Sequence, residues 1–274
     1  GKLIFRYNGE TVQVEAWGQD SLRVRSRVLG EISEECSALT EEVAVHDAVI
    51  SIQGEDSAEI ANGRIRAVLY RQGWGNALQI TFYNEKGEVL LQEIPNGGAL
   101  CLKARYFRSL AGGSFYLKAS FQSNDKEKLY GMGQYQQEKM NLKGCNLELA
   151  HRNSQASVPF YVSSLGYGFL WNNPAVGEVH FGTNTTEWEA WSTDQLDYWI
   201  TAGERPGDIE KNYAEVTGKS PMMPEYGLGF WQCKLRYYNE QQVLDIASEY
   251  KKRNIPVDVI VCLLYTSPSP RDRQ

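Results

Sequence analysis

A chain of 274 residues that is 42% hydrophobic can bury a large core, which excludes a disordered tail and a disulfide-stapled miniprotein. Its formal charge is −6 and its 28 basic residues are scattered, so the stripe of cations that neutralises phosphates is missing and nucleic acid is not an expected partner. No apolar run approaches the ~20 residues that span a bilayer, and no membrane association is expected.

The opening residues show no basic, apolar, small-residue leader, although Gly1 in place of Met leaves the start open. Five cysteines (Cys36, Cys101, Cys145, Cys233, Cys262) are odd in number and far apart. That suits reduced core thiols better than a disulfide framework, and with it a cytoplasmic setting.

Along the first two hundred residues the pattern predicts strands. Leu22, Val24 and Val28 alternate with Arg23, Arg25 and Arg27, which predicts a half-buried strand with the arginines on its opposite face. Phe115 to Phe121 repeats the alternation, and residues 43–52, 65–70, 79–83 and 89–93 add short β-rich runs. Asn62-Gly63, Asn84 to Gly87 and Asn96-Gly97-Gly98 supply turns between them. Short strands at this spacing predict an antiparallel sandwich.

After Trp199 the character changes. Ile209, Tyr213 and Val216 recur at helical spacing between Pro206 and Gly218, predicting a short helix over 208–217. Pro221 and Pro224 stiffen the connector. Residues 226–232 then read as an apolar strand, 240–253 as a helix presenting Val243, Ile246, Ala247 and Tyr250 and ended by Asn254, and 257–261 as a second, buried strand. Strand, helix, strand is a unit of a parallel sheet.

Signatures of chemistry are sparse. His46, His151 and His180 have no ligand spacing with one another or with the cysteines, so neither a metal nor another cofactor is expected. Gly131-Met132-Gly133 lacks the third glycine of a dinucleotide loop, and its glycines are read as relief for close backbone packing. Trp188, Trp191, Tyr198 and Trp199 could stack on sugar rings, but core packing is their ordinary use.

Several of these stretches together resemble glycoside hydrolase family 31. Leu22 to Arg25, Tyr130-Gly-Met-Gly133 and Pro159 to Asn173 resemble motifs of its N-terminal sandwich. Tyr198 to Gly203, Glu215 to Gly218 and Tyr226 to Gln232 resemble its junction with the catalytic barrel. Within the family, Phe230 to Tyr237 followed by Asn254 to Val261 is most similar to bacterial α-xylosidases, with α-glucosidases next.

The resemblance implies a mainly β chain: an antiparallel sandwich over 1–218, the first strand, helix and strand of a truncated (β/α)8 barrel over 219–261, and a tail, 262–274, that matches no family element and is read as an artefact. It implies a retaining glycosidase in which one aspartate attacks the anomeric carbon and a second protonates the leaving oxygen. In the family both come from later barrel strands, so no catalytic residue is named here and the chain by itself is expected to be inactive. Leu263 stands where the family carries a sugar-binding aspartate. The expected partner is an oligosaccharide ending in an α-xylosyl or α-glucosyl unit, with self-association left open. Lys234, Leu235, Arg236 and Tyr237 would lie at the exit of the first barrel strand, and of these Leu235 and Arg236 are the candidate sugar contacts. Arg152 and Asn153, in a loop that resembles one folded over the barrel mouth, are the other candidates. The competing reading is a free-standing sandwich that binds carbohydrate or protein.

Overall fold

The computed structural model describes residues 1–41, 43, 48–72, 77–97, 99–100 and 102–264. His46, Cys101 and most of the tail lie outside them. The chain divides into two compact units, Gly1–Lys219 and Ser220–Gln274.

In the first unit the hairpin of β1 (Lys2–Tyr7) and β2 (Glu10–Ala16) leads into β3 (Ser21–Val28). Its two-residue loop, Asn8-Gly9, has positive φ at both positions (49° and 80°), the conformation that matches the twist of the flanking strands. A meander follows: β4 (Val49–Gln53), β5 (Ser57–Asn62), β6 (Ile65–Gln72), β7 (Ala77–Asn84) and β8 (Val89–Gln92). Then come β9 (Arg105–Ser109), β10 (Phe115–Gln122), β11 (Leu129–Gln134), β12 (Asn146–Leu149), β13 (Ala156–Ser163), β14 (Tyr167–Trp171), β15 (Gly177–Phe181), β16 (Thr185–Thr193) and β17 (Leu196–Ala202), before helix α1 (Pro206–Thr217). Of the predicted strand 43–52, the structure forms Val49 onward, and residues 44–47 lie outside the described part.

Pairing produces three sheets. The largest has the order β1-β2-β3-β17-β14-β13-β11, the second β12-β15-β16-β10-β9, and the third is the meander β4 to β8. All three are antiparallel, as the alternation predicts. Their inward residues share one core, in which Trp171 stacks on Trp188 at 5.5 Å and Phe169 on Tyr198 at 5.1 Å. Trp188, Tyr198 and Trp199 are fully buried, so packing is their role, while Trp191 is exposed. Each large side chain removed from water contributes roughly 1.5–3 kcal/mol. The far face of the seven-stranded sheet is covered by α1, whose Ile209 and Val216 pack with Leu39, Leu170 and Trp199, and whose Tyr213 stacks on Phe160 at 4.0 Å.

That cover corrects the reading of Arg23 and Arg25, which are buried rather than solvated. Residues 33–36 pass over them and supply the acceptors that water would otherwise give. Arg23 donates to both carboxylate oxygens of Asp197 and to the Glu35 carbonyl, with its guanidinium 4.5 Å from the Trp17 ring. Arg25 donates to Glu15, Glu34 and the Ser33 carbonyl. Only Arg27, beyond this cover, keeps partial exposure. The cysteines also differ from expectation: Cys36, Cys145 and Cys262 are half-buried and Cys233 is exposed, all free, so none is a core thiol among those described.

Gly131 and Gly133 do relieve close packing. The register of β11 on β13 slips between them, and a Cβ at Gly133 would stand 2.3 Å from the Ala156 carbonyl oxygen at φ +87°. Gly133→Ala should therefore cost about 3 kcal/mol and lower the melting temperature by roughly 6–12 °C. An unchanged thermal melt would refute the packing account.

In the second unit β18 (Trp231–Lys234), helix α2 (Glu240–Lys252) and β19 (Val259–Cys262) form the expected strand, helix, strand, with β18 and β19 parallel. The Asn239 side chain accepts from the Gln242 amide at the start of α2, and Asn254 at φ 55° stops it. The first strand begins later than predicted, at Trp231, and runs on to Lys234. Residues Glu225–Leu228 make a 3-10 turn instead, because Pro224 presents its carbonyl to the Gly227 amide and glycines at 227 and 229 weaken an extended run. The second strand is half-buried rather than buried; it pairs with β18 and runs from Val259 to Cys262.

Candidate functional site

The exit of β18 is fixed by the parallel ladder. The Leu263 amide donates to the Lys234 carbonyl and the Leu264 amide to that of Leu235, so the carboxyl ends of both strands lie side by side. Parallel α/β domains place their sites at this edge. Leu235 is 62% exposed, and Arg236 is exposed with no ion pair among the described residues. Lys234 directs its ammonium over the Tyr237 ring, 5.4 Å from its centre. Tyr237 turns inward, the only buried side chain among the described residues of this unit, and its amide donates to the Cys262 sulfur at 3.2 Å. Leu235 and Arg236 are thus brought together and presented, and Tyr237 anchors them.

Arg152 and Asn153 sit in a tight turn of the first unit between β12 and β13. The Gln155 amide closes it on the Arg152 carbonyl, and Ser154 takes φ 67°. Arg152 grips Glu148 through two guanidinium nitrogens, and that hydrogen-bonded pair holds the Glu148 carboxyl below the usual carboxylate range. Asn153 is exposed. Nδ1 of His151 accepts from the Ser157 amide at 3.3 Å, which leaves Nε2 to carry the proton of the neutral ring.

This turn borders a cleft of about 680 Å³ whose walls include His151, Arg152, Ser37 and Asn173. Trp171 belongs to the lining, and its indole N–H has no partner among the described residues. Asn172 joins the cleft to the arginine network: its amide nitrogen donates to Asp197 and its oxygen accepts from the Ala38 amide, both at 2.9 Å. The sequence assigned no role to Asn172 or Ser37. Asn172 lies in the Pro159 to Asn173 motif, the one signal that could have pointed to it. The two candidate pairs, at 235–236 and 152–153, stand in different units.

The sandwich matches, over residues 11–179, the glycosyl hydrolase 31 N-terminal galactose mutarotase-like domain, which is more than half of the chain. The chain belongs to glycoside hydrolase family 31. Residues 220–265 match the TIM-barrel domain of the same family, so the parallel pair β18 and β19 is family 31 barrel structure. An uncharacterized family 31 glucosidase from Pseudescherichia vulneris is 43% identical over 97% of this chain and 52% of its own length. Alpha-xylosidase A of Aspergillus niger is 32% identical over 94% of this chain and 37% of its own. The crystal structure of a family 31 alpha-xylosidase from a soil metagenome, complexed with xylose, superposes with a TM-score of 0.90 at 46% identity, covering 98% of this chain and 41% of that one. The chain therefore spans about half or less of the length of these relatives. Among the described residues no helix is long and apolar enough to cross a membrane, and no group of three His, Cys, Asp or Glu could hold a metal ion.

Proposed function

We propose that this chain is the N-terminal part of a retaining α-glycosidase that removes terminal α-linked xylose, or failing that glucose, from oligosaccharides in the cytoplasm. The observation that carries the reading is the β18–α2–β19 unit within a family 31 barrel match, with Leu235 and Arg236 displayed at the carboxyl edge where barrel enzymes bind substrate. The xylose complex of the 46% identical soil-metagenome enzyme favours xylose over glucose. Leu235 would contact a sugar face, and Arg236 would donate to its hydroxyls. Arg152 and Asn153 would be the other substrate contacts. The catalytic pair would be two aspartates about 5–5.5 Å apart, borne by barrel strands after residue 261. A free-standing binding module leaves the parallel strand pair without a purpose.

Two measurements test this. The 274-residue chain should release no phenol from aryl α-xylosides above buffer. A fusion that joins residues 1–261 to the rest of the soil-metagenome enzyme's barrel should release xylose with retained anomeric configuration. A folded fusion that gives inverted product, or turns over neither α-xylosides nor α-glucosides, would sink the reading.

A further inference from the structure

A second cleft, of about 680 Å³, opens at one end of the sandwich, between its facing sheets and wholly within the first unit. One wall is the inner face of the β1–β2 hairpin. Phe5 and Tyr7 are two residues apart on β1 with rings 6.4 Å apart, and Tyr7 is paired in register with Glu10 of β2. The opposite wall comes from the edge strand β9 and the residues before it, as Phe107, Arg105 and Lys103. The volume is within the range of small-molecule sites, about 300–1,000 Å³.

At its base is a network that makes the polar groups rigid. Arg105, nearly buried, donates to Glu10 at 2.7 Å, to the buried Glu93 and to the Leu78 carbonyl at 3.1 Å. Ser26 donates at 2.6 Å to the same oxygen of Glu10 that Arg105 engages. The second oxygen of Glu10 makes no hydrogen bond among the described residues, and the Glu10 side chain is 26% exposed. So one fixed acceptor and a lysine donor face a space bounded by three aromatic rings. The charges decide what suits it: Glu10 and Glu93 are balanced by Arg105 and Lys103, and Arg71, over the Tyr7 ring, faces Asp56 at 3.6 Å. Neither an organic cation nor an anion is favoured. A neutral ligand with apolar C–H faces and many hydroxyls is.

We infer that this cleft is a non-catalytic carbohydrate site, which takes a neutral pyranose at the end of an oligosaccharide by stacking on Tyr7 and Phe107 and hydrogen bonding to Glu10 and Lys103. It goes beyond the proposed function, because it needs no barrel and shares no lining residue with the cleft beside Arg152. Its use would be to hold a long glycan on the enzyme between cuts.

The test uses the 274-residue chain as it is. Xylose, glucose and isomaltotriose are titrated by calorimetry, and the bound site is mapped by amide chemical-shift changes. Saturable, millimolar binding is expected, with shifts concentrated at Tyr7, Asn8, Glu10 and Lys103. Tyr7→Ala should weaken it about tenfold or more while leaving the thermal melt in place, because Tyr7 is an exposed edge residue. Lys103→Ala is the second variant and should weaken binding as well, since its ammonium lines the same cleft. No saturable binding up to ~50 mM, shifts located elsewhere, indifference to both cleft variants, or tighter binding of choline or sulfate than of any sugar would each overturn the inference. None of these outcomes touches the fusion experiment, so the two readings fail separately.

Discussion

Asp197→Ala should destabilise the first unit by about 3–5 kcal/mol, a fall in melting temperature on the order of 10 °C. The substitution removes the carboxylate that meets Arg23 through two oxygens and leaves a guanidinium with 0% exposure and no countercharge. It also strips Asn172 of an acceptor, so the cleft wall beside Ser37 loosens with the core. The paired replacement Arg23→Met with Asp197→Leu removes both charges while keeping volume, and it should recover most of the loss. Thermal melts of the single and double variants decide the matter. If the double variant is no better than the single, packing rather than an orphaned charge is the cause.

Arg236→Ala, introduced into the fusion that completes the barrel, should lower kcat/KM for aryl α-xylosides by ~10²-fold without moving the melting temperature. The side chain is exposed at the strand exit and carries no ion pair that the fold depends on among the described residues. Steady-state kinetics beside a melt provide the check. Unchanged kinetics would remove Arg236 from the substrate site, and a collapsed melt would make it structural. Tyr237→Ala should do the reverse and destabilise first, because that ring is buried.

What the sequence disclosed depended on the range of the forces involved. Strands such as β3 and β10 were legible because alternation is a local property, and the helix stop at Asn254 because a left-handed residue marks it. The fate of Arg23 was not. Alternation says that a residue leaves one face; it does not say whether water or a buried carboxylate waits on the other, and the carboxylate here is 174 residues away. The same blindness hid Asn172, whose partners come from residues 38 and 197. At 226–232 the apolar composition outweighed the proline and glycines in the reading, whereas the backbone followed the latter. The strand exit was legible in outline: residues 235 and 236 are presented, as expected from the end of an apolar run, but the inward turn of Tyr237 depends on Cys262, which no local pattern supplies.

The arginine network also has a bearing on synthesis. β3 lies between β2 and β17 in the sheet, and Arg23 finds its counterion at a separation of 174 residues. At ~5–20 residues per second, a ribosome needs roughly 10–40 seconds to make that stretch. Through that interval the nascent β3 has an unpaired edge, and Arg23 has not yet met Asp197. It is a hydrated cation in the waiting chain and becomes a buried one only on docking, whereas Arg25 has Glu15 and Glu34 within ten residues. The charge of Arg23 keeps the edge hydrated and guards against premature pairing with a neighbouring polypeptide. The arginine that helps seal the finished sandwich would thus first serve as its protection from aggregation.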